Sequence, residues 1–378
     1  MKNRYPCSKQ YVVMKKVLFS VIVSSVCLSS FAQGDDIYDF VDASDLTVVG
    51  KLFNDTMMPF HRVDTCRFKK FNARENVLVR ESSGISIAFR SNSPSISFIP
   101  KYGIVEEHPH TTDMSSKGFD LYVRDVEGLY GPENQWINIE AHSGRDGRLC
   151  KIKENMDGSI KEFLLYLPTF SEVLSLKIGV ERGCMLEKME NPFRYRVGVF
   201  GSSFTHGTST TRSGMTYPAQ FSRRTGIQLL SLGVSGNCRM QEHFAEVLAA
   251  ADVDAFIFDT FSNSSSGMIE ERLFPFIEKI QEAHPDIPLI FQQTIYRETR
   301  NFDVPTERRE KERMETAEAM MKKAMKKYKN VYFVVPDVTT KRHDTSVDGI
   351  HPTDYGYYLW VESVRKPILR ILSKYGIK

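Results

Sequence analysis

The chain has 378 residues, 41% of them hydrophobic and 26% charged, which is enough to build about two globular domains. Its formal net charge is +3, but five of the basic residues lie within the first 33 positions, which contain no acid. Beyond them, 45 basic residues face 47 acidic ones. This balance argues against a nucleic-acid-binding protein, which needs a strongly basic surface.

The first residues resemble an export signal. A basic stretch ending at Met14-Lys15-Lys16 precedes an apolar run over 17–31, and Ser30-Phe31-Ala32 has small residues at the positions that signal peptidases require. We therefore expect residues 1–32 to be a signal peptide and the mature protein to be exported to the periplasm, the cell surface or the medium. A membrane anchor and a lipid on Cys27 are the alternatives. The apolar run is shorter than the ~20 residues of a membrane-spanning helix, and no later segment is suitable.

Removal of this peptide would leave Cys66, Cys150, Cys184 and Cys238. Four cysteines permit three complete disulfide pairings, and free buried thiols are an equally good interpretation. No Cys or His spacing is typical of a zinc site, so we expect no metal and no organic cofactor.

Residues 33–190 are predicted to form an N-terminal all-β domain. Short apolar runs alternate with turn residues, without a convincing helix; the runs are NVLVRE, GISIAFRS, SISFIP, GFDLYVRD, WINIEA, EFLLYLP and VLSLKIGV. Such a pattern favours an antiparallel β-sandwich.

Residues 191–378 change to alternating strands and helices. Five apolar runs predict parallel strands, namely RVGVFG, IQLLSLG, AFIFDTF, LIFQQTI and VYFVVPDV. Amphipathic segments over 268–284, 306–328 and 355–375 predict helices between and after them. The expected fold class is α/β, with a doubly wound parallel five-stranded sheet.

Polar residues follow several of these strands, and the carboxyl ends of parallel strands meet at one edge of a sheet. The residues concerned are Ser202 and Ser203, then Gly236 and Asn237, then Ser262 and Asn263, and finally Asp348 and His351. Each alone is typical of a turn or a helix cap. Together they supply a hydroxyl, amide donors and an Asp/His pair, which are the groups that acyl transfer needs.

The spacing suggests a role for each group. A serine hydroxyl needs a base, and His351 follows Asp348 by three residues, so one turn can join carboxylate and imidazole. We predict Ser203 as nucleophile, His351 as base and Asp348 as the orienting acid. The amides of Ser203 and Gly236 and the side chain of Asn263 are the predicted oxyanion donors.

The region from Tyr195 onward resembles the SGNH, or GDSL-like, hydrolase family, whose four blocks supply Ser, Gly, Asn and His in that order. The matching blocks are Gly201-Ser202-Ser203, Gly233-Val234-Ser235-Gly236-Asn237, Asp259-Thr260-Phe261-Ser262-Asn263 and Asp348-Gly349-Ile350-His351-Pro352. Ser202 stands where the family usually has aspartate, and the third block lacks the usual Gly-x-Asn-Asp. The resemblance implies a flavodoxin-like sheet and a serine esterase mechanism.

Gly118-Phe119-Asp120-Leu121-Tyr122 resembles the Gly-x-Asp-Leu-Tyr signature of a subgroup with an N-terminal, jelly-roll-like module. Possible substrate-binding residues are Ser202, His206, Tyr217, Asn237, Asp120 and Tyr122. A structural role is the alternative for His206, and holding the fold is the alternative for Asp120 and Tyr122.

The expected function is hydrolysis of short acyl esters on glycans or small molecules by an exported serine esterase. A lipase or thioesterase of the same fold is one alternative, and a glycan-binding protein with a decayed hydrolase site is another. The oligomeric state stays open.

Overall fold

The computed structural model of the protein describes residues 37–337 and 343–378. The predicted signal peptide, residues 1–32, lies outside these residues. Within them, none of the helices combines the length and the apolar character needed to cross a bilayer. Cys66, Cys150, Cys184 and Cys238 are all free thiols.

The N-terminal part (residues 37–190) consists mainly of two antiparallel sheets. Its strands are β1 (Tyr38–Asp42), β2 (Thr47–Val49), β3 (Ser86–Ser91), β4 (Ile96–Val105), β5 (Gly118–Asp125), β6 (Gln135–Ser143), β7 (Cys150–Lys153), β8 (Lys161–Tyr166), β9 (Ser171–Glu181) and β10 (Leu186–Lys188). One sheet has the order β1-β9-β4-β7 and the other β10-β3-β8-β5-β6, with β2 beside β3. Both sheets contribute to one hydrophobic cluster, in which Phe98 and Phe119 pack with ring centroids 4.4 Å apart.

One predicted strand of this part is wrong. The run NVLVRE falls largely within helix α1 (Ala73–Arg80), so the expectation of an N-terminal part without helices is wrong as well. Asn72 caps the helix by accepting a 2.9 Å bond from the amide of Glu75, whose carboxylate accepts a 3.0 Å bond from the amide of Asn72. This capping box starts the helix, and burial of Leu78 and Val79 holds it against the core. A second helix, α2, spans Asp113–Ser116.

The C-terminal part (residues 191–378) contains the predicted parallel sheet. Its strands are β11 (Arg194–Gly201), β12 (Ile227–Gly233), β13 (Ala255–Asp259), β14 (Leu289–Gln292) and β15 (Val331–Val334). They lie in the order β12-β11-β13-β14-β15, and every neighbouring pair is parallel. This order is the flavodoxin-like one, with its topological switch at the central strands.

Helices cover both faces of this sheet. They are α3 (Ser203–His206), α4 (Tyr217–Thr225), α5 (Glu242–Ala249), α6 (Ser266–Ala283), α7 (Val304–Lys327) and α8 (Asp354–Ser373). One hydrophobic cluster joins the sheet to α5, α6 and α7, and a second joins it to α4 and α8. The three predicted long helices are confirmed. Contacts between the two parts place Ile37–Lys378 in a single unit, and the predicted boundary at 190/191 stays a prediction.

Candidate active site

Ser203 is the first residue of α3, directly after β11. Ser202 caps this helix, because its hydroxyl accepts a 3.2 Å bond from the amide of Phe204. A Cβ on Gly201 would lie 1.9 Å from Thr205 Oγ1 and 2.9 Å from Asp259 Cβ, so glycine is the residue that fits where the strand meets the helix. The turn therefore presents the Ser203 side chain at the carboxyl edge of the sheet.

Ser203, His351 and Asp348 form a continuous hydrogen-bonded series. Ser203 Oγ lies 3.1 Å from His351 Nε2, and His351 Nδ1 lies 2.7 Å from Asp348 Oδ2. The other carboxylate oxygen of Asp348 accepts bonds of 2.9 and 2.7 Å from the amides of Ile350 and His351. Gly349, with φ of +79°, allows this tight turn.

The electrostatics suit proton transfer from serine. Burial raises the pKa of Asp348, but hydrogen bonds from His351 and Ile350 outweigh it and bring this pKa down to about 2. Burial lowers the pKa of His351 below its usual 6.5, although Asp348 opposes that shift. At neutral pH the imidazole is therefore neutral, with its proton on Nδ1 facing the carboxylate, so that Nε2 can accept the Ser203 proton.

The predicted oxyanion donors lie in loops that the structure joins. Gly236 adopts φ of +71° in the exposed turn after β12. The Asn263 carboxamide oxygen accepts a 3.4 Å bond from the amide of Cys238, which links the loops after β12 and β13. The NH2 group is the donor end of the Asn263 side chain. Asn237 instead holds its own turn through a 2.9 Å bond to the Ser235 carbonyl.

Ser202 does not face solvent. Its side chain is fully buried, and its hydroxyl donates a 2.7 Å bond to Asp259 Oδ2, which also accepts from the Ser202 amide at 3.1 Å. These bonds give Ser202 a structural role, and its predicted contact with substrate stays a prediction. Asp259 also explains why serine occupies this position, because an aspartate at 202 would place two carboxylates against each other in a buried site.

His206 and Tyr217 are also buried residues of the core. His206 is fully buried, donates a 2.8 Å bond to the Thr169 carbonyl and stacks on Phe170 at 4.4 Å. The ring of Tyr217 stacks on Trp360 at 4.8 Å. Both side chains are buried, which agrees with the structural alternative for His206; the predicted contact of the two residues with substrate stays a prediction.

Asp120 and Tyr122 join the two parts of the chain. Arg212 Nη1 donates bonds of 3.0 and 2.7 Å to the two carboxylate oxygens of Asp120 and a 2.5 Å bond to the Tyr122 hydroxyl. The Gly214 amide donates a further 2.8 Å bond to Asp120. Both side chains are buried, and their predicted contact with substrate stays a prediction. Their alternative role in holding the fold agrees with these bonds.

Two residues near the site were missed by the sequence reasoning. His110 Nε2 lies 3.6 Å from Asp348 Oδ2, and the centroids of the His108 and His110 rings lie 6.4 and 6.3 Å from that of His351. They come from the loop after β4, far from the family blocks in sequence. The sole signal was a pair of histidines in a polar loop. The described residues contain no group of three or more His, Cys, Asp or Glu arranged to hold a metal.

Comparison with known proteins identifies the family of this chain. Residues 194–370 match the model of the GDSL-like lipase/acylhydrolase family, and residues 38–186 match that of the GxDLY N-terminus of SGNH-hydrolase-type esterases. The crystal structure of a GDSL-like lipase from Bacteroides ovatus is 34% identical, with a TM-score of 0.84, over 89% of this chain and 98% of that one. The chain belongs to the GDSL-like lipase/acylhydrolase family. It is an ester hydrolase, which argues against a binding protein with a decayed site.

More distant members of this fold have other activities. A salicylyl-acyltransferase from a tetracycline biosynthetic pathway is 18% identical, with a TM-score of 0.70, over 88% of this chain and 97% of that one. A family two carbohydrate esterase from Cellvibrio japonicus is 11% identical, with a TM-score of 0.56, over 89% of this chain and 98% of that one. At these identities the similarity concerns the fold alone. No curated protein matches the sequence.

Proposed function

We propose that this protein is an exported serine esterase that removes short acyl groups, acetyl in particular, from carbohydrates. The observation that carries the proposal is the hydrogen-bonded series from Ser203 Oγ through His351 to Asp348. No metal or organic cofactor takes part in this chemistry, because a hydroxyl, a base and amide donors suffice for ester hydrolysis.

In the first half of the reaction, Ser203 Oγ attacks the ester carbonyl carbon while His351 Nε2 takes the hydroxyl proton. The carbonyl oxygen becomes negative and accepts hydrogen bonds from the amides of Ser203 and Gly236 and the NH2 group of Asn263. His351 then gives its proton to the leaving alcohol, and the acyl group stays on Ser203. Asp348 keeps the imidazole in the productive tautomer and balances its charge.

In the second half, water takes the place of the alcohol. The water oxygen attacks the acyl carbon while His351 accepts a proton from the water. The same donors then bind the second oxyanion. Collapse releases the carboxylic acid, and the proton returns to Ser203.

Three features support a carbohydrate ester as the substrate. The first residues resemble an export signal, and a β-rich part, which we infer to be a jelly-roll-like sandwich, accompanies the catalytic part. The fold is shared with a family two carbohydrate esterase. For the acyl group, Ser203 is only 7% exposed, and the C-terminal part has no long apolar insertion that would form a lipase lid. We infer from this low exposure of the nucleophile that the acyl chain is short.

The test is acetate release from acetylated xylan and glucomannan, with p-nitrophenyl acetate, butyrate and palmitate as reference esters. We expect the wild type to prefer acetyl esters and Ser203→Ala to lower kcat by at least about a thousandfold. Ser202→Ala is the matched control and should retain turnover.

Two outcomes would contradict the proposal. Preference for palmitate would indicate a lipase instead. Loss of turnover in Ser202→Ala, with turnover retained in Ser203→Ala, would show that the nucleophile is misassigned.

A further inference from the structure

The histidine segment, defined here as residues 106–112, runs from the end of β4 to the start of α2. It belongs to the N-terminal part, yet it lies beside the candidate catalytic residues of the C-terminal part. Its His110 side chain is 40% exposed and approaches Asp348 Oδ2 to 3.6 Å. The ring of His110 is inclined by 25° to that of His351, with 6.3 Å between their centroids.

Hydrogen bonds hold this segment at both ends. The Glu106 amide donates a 2.9 Å bond to the Phe170 carbonyl. Thr111 Oγ1 accepts a 3.0 Å bond from the Ser209 amide, and Thr112 Oγ1 donates a 2.7 Å bond to the Thr211 carbonyl. The last two bonds join the segment to the loop after α3, the helix that carries the candidate nucleophile. The segment is therefore placed in advance of substrate binding, which reduces the entropic cost of using it as a contact.

A column of stacked rings supports His108. Its imidazole stacks on Phe170 with centroids 4.9 Å apart, and Phe170 stacks in turn on the buried His206 at 4.4 Å. His108 is half-buried, and its Nδ1 is buried without a hydrogen-bond partner among the described residues. His110 lies beside it, with 6.1 Å between the two ring centroids. Thus His108 is a fixed wall and His110 is the exposed group in front of it.

The reaction defines where the leaving alcohol must lie. His351 Nε2 gives its proton to that alcohol, so the alcohol oxygen must come within hydrogen-bonding distance of the imidazole. The rest of a sugar alcohol must then occupy the surface next to His351, here called the rim. His110 is an exposed polar group on this rim, and an imidazole can both donate and accept hydrogen bonds.

We propose that His110 binds the alcohol part of the substrate by hydrogen bonding to sugar hydroxyls next to the ester, with His108 as the supporting wall. This inference rests on the proposed carbohydrate esterase function. It makes the N-terminal part a contributor to specificity, although the reacting groups all come from the C-terminal part.

The experiment compares two acetate esters that differ in the alcohol. One is p-nitrophenyl acetate, whose alcohol offers no neighbouring hydroxyl. The other is methyl glucoside carrying one acetyl group, tested at each ring position. The variants are His110→Ala, His110→Gln, which keeps an N–H donor, and Glu107→Ala, an exposed neighbour in the same segment that serves as control.

His110→Ala is expected to lower kcat/KM for the acetylated glucoside about tenfold, mainly through KM, because one neutral hydrogen bond is lost. Hydrolysis of p-nitrophenyl acetate should stay within about twofold of the wild type, since the reacting groups are untouched. His110→Gln should restore part of the loss, and Glu107→Ala should behave as wild type on both esters.

Three results would overturn the inference or its basis. An equal loss on both esters would assign His110 to the positioning of Asp348 and His351. A shift of the acid limb of the pH profile on both esters would show that His110 acts by changing the protonation of its titratable neighbours Asp348, His351 and His108. Wild-type protein that hydrolyses p-nitrophenyl acetate but no acetylated glucoside would instead overturn the proposed carbohydrate function, a result that does not depend on any variant.

Discussion

Among the histidine–carboxylate pairs of the described residues, two are similar in distance and opposite in environment. His351 and Asp348 lie 2.7 Å apart, and each side chain is 18% exposed. His206 and Glu81 lie 3.0 Å apart, and both side chains are fully buried. The first pair follows the parallel sheet, and the second lies where the N-terminal part packs against α3.

The surroundings of each carboxylate determine its charge. Backbone amides donate to Asp348, and its pKa falls to about 2 in spite of burial. Burial and the neighbouring carboxyl of Glu106 raise the pKa of Glu81 well above its usual 4.5. Burial also lowers the pKa of His206 well below 6.5. A histidine beside a carboxylate is therefore not sufficient to form a general base. The carboxylate must also be stabilised by hydrogen bonds, and the imidazole must be accessible.

The largest effect on activity should come from a change in the partly exposed pair, His351 and Asp348. Asp348→Asn replaces the acceptor of the His351 Nδ1 proton by an amide, which favours the wrong tautomer. We expect kcat for p-nitrophenyl acetate to fall by about ten-thousandfold, with a nearly unchanged melting temperature. The matched change in the buried pair, Glu81→Gln, should leave kcat within about twofold of the wild type. Equal losses in the two variants would break the comparison.

A second buried carboxylate sharpens the distinction between reacting and structural acids. Asp120→Ala leaves Arg212 without its main partner at the contact between the two parts. We expect the free energy of unfolding to fall by about 3 kcal/mol, the lower end of the range for broken buried pairs, because Arg212 is partly exposed. Urea unfolding measures this change.

The control for that experiment is Asp113→Ala, which removes an exposed ion pair with Lys117. It should change stability by less than about 1 kcal/mol. If Asp120→Ala and Asp113→Ala lower the free energy of unfolding equally, the loss in Asp120→Ala does not come from the contact between the two parts.

The smallest effect should come from Glu81→Gln on stability. Because the pKa of Glu81 is raised in the folded protein, its contribution to stability is present below about pH 4.5 and is lost as pH rises toward the folded-state pKa. Glutamine cannot release a proton. The variant should therefore gain stability relative to the wild type as the pH rises from 5 to 8. Urea unfolding at the two pH values tests this, and a relative loss at pH 8 would contradict it.

Much of the fold follows from patterns in the sequence. Runs such as AFIFD are buried on both faces, as expected for central strands of a parallel sheet. The long amphipathic segments between them are then expected to be helices that cover the sheet. The run NVLVRE misled because three adjacent apolar residues are compatible with a strand as well as a helix. The deciding signal was upstream, in the capping pair of Asn72 and Glu75.

The candidate site was predictable where its groups are close in sequence or follow strands. Asp348 and His351 are three residues apart, and Ser203 follows a central strand, so local geometry brings them together. His110 could not be found in this way, since it reaches Asp348 only through packing between the two parts. The buried positions of Ser202 and Tyr217 depend on partners at 259 and 360, which no local pattern reveals.

The bonds from Arg212 to Asp120 and Tyr122 have a consequence for how the chain can be divided. Arg212 lies in the stretch between α3 and α4, so the stretch that follows the nucleophile is fastened to a strand encoded almost 100 residues earlier. A protease cut in the connection between β10 and β11 would leave two fragments that still hold each other. A shortened gene product starting at residue 191 would lose that anchor. Two consecutive family matches in one sequence thus lie within one compact unit, Ile37–Lys378.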